Sequence, residues 1–187
     1  MKFNSLFLAL VMAGGLFSGA SQAITGTDQL QGIITATVEA GTCNAQITDS
    51  SSASVSEINF GDVFKNEIGT RTEPFNIELT ECYGVKNATL TAQPGTGNSC
   101  SGASYATTGT TNTAVEIWKG TADTGTKLEC KTGSPSNAIV TTLGISTTAK
   151  SATIPMIARW VLANGKVAAD IATGDATSLI TFSVEYQ

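Results

Sequence analysis

The chain of 187 residues contains no histidine. That removes the usual general base, the Ser-His-Asp and Cys-His arrangements and the commonest metal ligand together. Charged residues are scarce as well, at 13%. The carboxylates that could still do glycosidase-type chemistry (Asp28, Glu39, Glu57, Asp62, Glu67, Glu116 and Asp175) stand singly, and their spacing brings no two of them together. Neither a phosphate-binding G-x-x-x-x-G-K-[ST] nor a dinucleotide fingerprint is present. Nothing therefore argues for catalysis, and neither an enzymatic activity, a metal nor a cofactor is expected. The formal charge is −5, and loss of Lys2 with a leader would make it one unit more negative, which argues against nucleic acid or an anionic membrane surface as partner. Beyond the first residues there is no stretch long and charge-free enough to span a bilayer, and no sustained 3.6-residue periodicity.

What is present begins with a leader. Lys2, the apolar run from Leu6 to Phe17 and the small residues before Ser21-Gln22-Ala23 have the pattern of a cleavable secretory signal over residues 1–23, with cleavage after Ala20 as the alternative. The remainder, about 164 residues, has the size of one domain. An exported chain enters an oxidising compartment, where the four cysteines Cys43, Cys82, Cys100 and Cys130 are expected to form two disulfides. Zinc is disfavoured, because no two of them are spaced C-x-x-C and no histidine completes a site. The spacing leaves three pairings open.

Short alternating segments bounded by turn residues run along the chain. Phe75, Ile77 and Leu79 alternate in EPFNIELTEC, and Ala88, Leu90 and Ala92 in NATLTA; TAVEIWK offers Val115 and Ile117, and SATIPMIARWVLA is a long apolar stretch. Ile180, Phe182, Val184 and Tyr186 alternate with Thr181, Ser183 and Glu185 at the C-terminus. Each has the period of a strand, and clusters of Gly, Pro, Ser, Thr and Asn separate them, so an all-β antiparallel sandwich is expected. Pro155 should lie at an edge or a bulge. Trp118 and Trp160 are assigned to packing rather than to a sugar-stacking platform. The sequon Asn87-Ala88-Thr89 is short enough to arise by chance.

The segment between leader and Cys43 is also strand-like: Leu30, Gly32, Ile34, Ala36 and Val38 share one parity. Periodicity favours the first strand of the domain itself, and the other reading is a strand that leaves its own domain to pair elsewhere.

Several of these segments, in this order, resemble the subunits of chaperone-usher pili, the type 1 and P fimbrial family. ITATVEAGTC resembles the family's N-terminal extension running into its first cysteine, INFGDV the motif after the first strand, TEPFNIELTEC the second strand with its cysteine, and IPMIARWV the penultimate strand. At the end, Gly174 precedes alternating apolar residues and a penultimate tyrosine, Tyr186. The resemblance implies an incomplete immunoglobulin-like β-sandwich lacking its final strand, completed by a donor strand from a chaperone or a neighbouring subunit. It implies residues 24–41 as the donor extension, with Leu30, Gly32, Ile34, Ala36 and Val38 as its inward row, and residues 42–187 as the pilin domain. The acceptor groove and chaperone-binding strand would comprise Gly174, Ile180, Phe182, Val184 and Tyr186. For Gly174 a plain turn role stays open beside close approach of the donor.

The implied disulfides are Cys43 with Cys82, shared by the family, and Cys100 with Cys130, a departure from its commonest pattern. The second would close a loop of about 30 residues, worth roughly 3 to 4 kcal/mol by loop entropy. Ala36 is a further departure, since many relatives have glycine there. The implied partners are a periplasmic chaperone, an outer-membrane usher and neighbouring subunits, and the implied destination is an adhesive fimbrium at the cell surface. The alternatives are a minor adaptor or tip-proximal subunit with an adhesive role, and a small secreted carbohydrate-binding or carbohydrate-active sandwich protein.

Overall fold

A computed structural model describes residues 35–36 and 41–187. The leader and the donor positions Leu30, Gly32, Ile34 and Val38 lie outside the described residues; Thr35 and Ala36 are exposed and belong to no helix or strand. The described residues form ten strands: β1 (Thr42–Thr48), β2 (Thr72–Tyr83), β3 (Asn87–Pro94), β4 (Cys100–Ser101), β5 (Ser104–Ala106), β6 (Thr113–Lys119), β7 (Thr126–Lys127), β8 (Ile139–Thr142), β9 (Lys150–Leu162) and β10 (Ile180–Tyr186). One sheet has the order β1-β2-β9-β6-β5-β4, with β7 beside β6; the other is β10-β3-β8. Neighbouring strands pair antiparallel.

The two sheets bury the residues that share a parity. Phe75, Ile77 and Leu79 of β2, Ala88, Leu90 and Ala92 of β3, Val115 and Ile117 of β6, and Ile154, Met156 and Ala158 of β9 form one core. In β2 the parity changes between Leu79 and Cys82, where a bulge with Glu81 at φ 51° lets both residues face inward. Cys82 thereby reaches Cys43 on β1, and the second disulfide joins Cys100 to Cys130, the pairing that the family resemblance implies.

Pro155 departs from the expected edge or bulge. β9 lies inside its sheet, and its register with β2 runs unbroken through Pro155 and Asn76. The proline is tolerated because its main chain faces the β6 side, where β6 has already ended. Its carbonyl there accepts from the Gly120 N–H at 3.1 Å, and no ladder bond calls on the missing N–H.

The outer face of the larger sheet carries an ionic network. Glu116 on β6 accepts from Lys127 at 2.6 Å, Arg159 at 2.6 Å and the Trp118 indole at 3.1 Å, and Arg159 also holds Asp123 at 2.6 Å. Burial opposes the charge on Glu116, but the hydrogen bonds from Lys127, Arg159 and Trp118 outweigh it and hold the carboxyl below its ordinary value of 4.5. A depressed folded pKa contributes stability that is complete above the ordinary value and is lost as pH falls through the folded one. Glu116→Gln should thus cost about 2 kcal/mol at neutral pH and little in acid. Urea unfolding of both forms across this pH range checks it, and a cost independent of pH would contradict it.

The two long seams of the sandwich differ. On the β8 side, Tyr105 and Leu128 are fully buried between the layers. Just ahead of β8, Ser136 donates from its N–H to the Ala92 carbonyl at 2.8 Å, and its hydroxyl accepts from the Ala92 N–H at 3.0 Å. The Cys100–Cys130 bridge pins this closure. On the opposite side the layers end in β1 and β10.

Candidate functional site: an open seam beside the last strand

β10 is an edge strand whose two faces differ. Thr181, Ser183 and Glu185 are exposed, whereas Ile180, Phe182, Val184 and Tyr186 are half-buried and pack against the core. Phe182 meets Phe75 with ring centroids 5.8 Å apart. Partial burial also pushes the Tyr186 hydroxyl above its ordinary pKa. These side chains reach the core but remain only partly covered, as expected where one strand is wanting.

The hydrogen-bond pattern fixes which groups face the gap. Gln187 and Asn87 exchange both main-chain bonds at 2.9 Å, and the Leu179 carbonyl accepts from the Gly95 N–H at 2.9 Å. Odd-numbered residues of this segment therefore point their main chain at β3. In an antiparallel ladder the alternate residues point the other way, so the N–H and C=O groups of Ile180, Phe182, Val184 and Tyr186 face the seam. Among the described residues no strand takes them up. Apolar side chains and unpaired main-chain groups thus lie along one line, which an extended segment could satisfy together.

The far lip of the seam is β1, which among the described residues pairs along its length with β2 and at its end bridges from Thr48 to Ser54. The chain enters β1 through Gly41, which touches the turn after β2: a Cβ there would lie 2.6 Å from the Gly84 backbone. The end of the sandwich holding Gly41, Tyr83 and Gln187 is called the terminal pole below. At the other end, where β9 stops and β10 starts, is a cavity of about 450 Å³. Phe60, Phe64, Trp160, Thr111, Ile171 and Gly174 are among its walls, and this end is the cavity pole.

Gly174 is placed apart from the four β10 residues, in the loop ahead of β10 on the cavity wall. Its φ of 148° favours glycine, although a Cβ would have room, 4.0 Å from Thr111 Cγ2. Trp160 packs edge-on against Phe60 at 5.2 Å, and Trp118 lies between Arg159 and Lys127 at 5.6 and 5.7 Å, so both indoles serve packing. Of the donor positions only Ala36 is described. Among the described residues no group of three or more His, Cys, Asp or Glu side chains could hold a metal. The cavity escaped the sequence reading: its walls come from separate segments, and INFGDV, which supplies Phe60, carried no periodic signal.

The class defined by this geometry is an immunoglobulin-like β-sandwich with one seam stapled and the other, among the described residues, open. No protein-family model matches the chain. The fimbrial-like protein YadL of Escherichia coli (strain K12) is 31% identical over 204 aligned positions, covering 100% of this chain and 99% of that one. Among solved structures, a chaperone-usher pilus described for its rod uncoiling aligns with TM-score 0.50 at 18% identity, over 90% of this chain and 100% of that one. The P pilus rod subunit PapA aligns with TM-score 0.48 at 18% identity, over 78% and 99%. The chain belongs to the family of chaperone-usher fimbrial subunits, which are structural proteins rather than enzymes.

Proposed function

We propose that this chain is a structural subunit of a surface fimbria and polymerises by donor-strand exchange. The observation that carries the reading is the line of N–H and C=O groups of Ile180, Phe182, Val184 and Tyr186, which no strand among the described residues takes up. A periplasmic chaperone first lends a strand to this line during export; at an outer-membrane usher, residues 24–41 of another copy replace it. Leu30, Gly32, Ile34, Ala36 and Val38 then face the core, and the alternate polar residues face water. Residues paired through both main-chain bonds direct their side chains to the same face, so the donor's apolar row supplies ladder bonds and packing together.

The donor direction follows from where the chain enters its own domain. Gly41 lies at the terminal pole, so a donor antiparallel to the next copy's β10 joins the terminal pole of one copy to the cavity pole of the next. That arrangement is head-to-tail and leaves one pole free at each end for the next copy. Gly174 stands at the cavity pole, where the donor would leave the seam.

Deletion of residues 28–40 tests the reading. The truncated chain should fold, bind the chaperone and accept a donor peptide, but fibres should stop wherever it is incorporated, as electron microscopy would record. A truncated chain that cannot fold would make the segment part of its own domain and overturn the proposal.

A further inference from the structure

The described residues expose six large apolar side chains: Phe64, Tyr83, Val140, Ile145, Val167 and Leu179. Isolated exposed apolar residues are ordinary, but these are sorted by position. Val140 lies within β8, and the others lie at a strand end or in connections. Tyr83 ends β2 and Ile145 lies in the connection from β8 to β9, both at the terminal pole, and the two connections meet where the Gly84 N–H donates to the Ser146 carbonyl at 3.3 Å. Phe64 on the cavity wall, Val167 in the loop after β9 and Leu179 just ahead of β10 lie at the cavity pole. Ile145 and Val167 are 74% and 60% exposed, so neither is covered by its own domain.

We infer that successive copies make a second contact that uses no donor strand: Tyr83 and Ile145 at the terminal pole of one copy seat against Phe64, Val167 and Leu179 at the cavity pole of the next. The inference rests on the donor reading for the choice of partner, a second copy of this chain. The segment ahead of Gly41 leaves from the terminal pole, beside the turn that follows Tyr83. A donor laid antiparallel along the next copy's β10 ends at that copy's cavity pole. A residue of extended chain spans at most about 3.6 Å, so the few residues left before Gly41 hold the two poles close. Different apolar sets on opposite poles form a head-to-tail pair, which leaves a free pole at each end for a further copy. The contact would limit bending between neighbours, which a strand inserted through a short connection does not do by itself.

The test uses fibres assembled by cells carrying the full-length chain. With Ile145→Cys and Val167→Cys in the same chain, oxidation should link neighbours into a ladder of covalent multimers on a non-reducing denaturing gel. Fibres of the double variant without such a ladder overturn the contact, as do dimers formed by Ile145→Cys alone, which would set two terminal poles together. A charge exchange serves as an independent check that needs no added cysteine. Ile145→Lys should make the fibres more flexible, seen as a shorter persistence length in electron micrographs, and Val167→Asp added to it should restore their stiffness; no restoration overturns the pairing. The donor reading is judged separately by the chain lacking residues 28–40. If that chain still makes fibres of normal length, donor exchange fails, whereas a missing cross-link in intact fibres removes only the contact between poles.

Discussion

Moving residues 28–40 to follow Gln187 through a short turn, with the native segment removed, should yield a monomer that needs no chaperone and unfolds at far higher denaturant than the truncated parent. Gln187 lies at the terminal pole, beside Asn87, so the appended segment would run back antiparallel along β10. It would meet the free N–H and C=O groups of Ile180, Phe182, Val184 and Tyr186. Leu30, Ile34 and Val38 would leave water, contributing about 4.5 to 9 kcal/mol at roughly 1.5 to 3 kcal/mol each. The tether keeps the donor at high effective concentration, so association no longer depends on protein concentration. One cooperative transition at higher denaturant is expected, with Ile34→Asp in the appended segment reversing most of the gain. A fusion that aggregates, or unfolds no later than the truncated parent, would mean that β10 has no fillable gap beside it.

The second large effect lies on the acceptor side. Val184→Asp or Phe182→Asp should reduce co-purification with the chaperone to background, because the carboxylate would be buried unpaired against the inserted strand. Phe182 packs on Phe75 and Val184 also packs against the core, so circular dichroism of each purified variant separates loss of binding from loss of folding. Thr181→Asp, on the exposed face, should retain binding. Equal loss in all three variants would assign the wrong face of β10 to the seam.

Much of this domain was legible because alternation in a strand has one physical cause. Successive side chains point to opposite faces, so a segment packed on one side shows its inner row directly. Phe75, Ile77 and Leu79 illustrate this, and all three are buried. Alternation along β10 likewise marked Ile180, Phe182, Val184 and Tyr186 as the inward row. Local rules failed where a residue's environment depends on its neighbours. Pro155 looked like a breaker of a central strand, but whether a missing N–H matters depends on where β6 stops. Gly174 carried two readings because a glycine does not reveal what stands beside it; it stands on a cavity wall. Glu116 looked like one more scattered acid, yet strand pairing brings Arg159 from a distant segment onto it.

By itself, the sequence determined the all-β class, the inner rows of the main strands and the absence of histidine-dependent chemistry, since these depend on residue type and on period alone. Only the tertiary structure decided which strand is left at an edge. An edge is a relation between strands: β10 has the same alternation that a central strand with one buried face would have. What makes it an edge is that β3 occupies one side and, among the described residues, nothing occupies the other. The stapled seam shows the same dependence. Cys100 and Cys130 are each unremarkable in sequence, but once β5 and β6 pair, Tyr105 and Leu128 fill the space between the layers and the bridge holds that side shut. The chain thus carries the pattern of each strand locally, while the unpaired hydrogen-bonding line that could accept a partner exists only after the sheets have assembled.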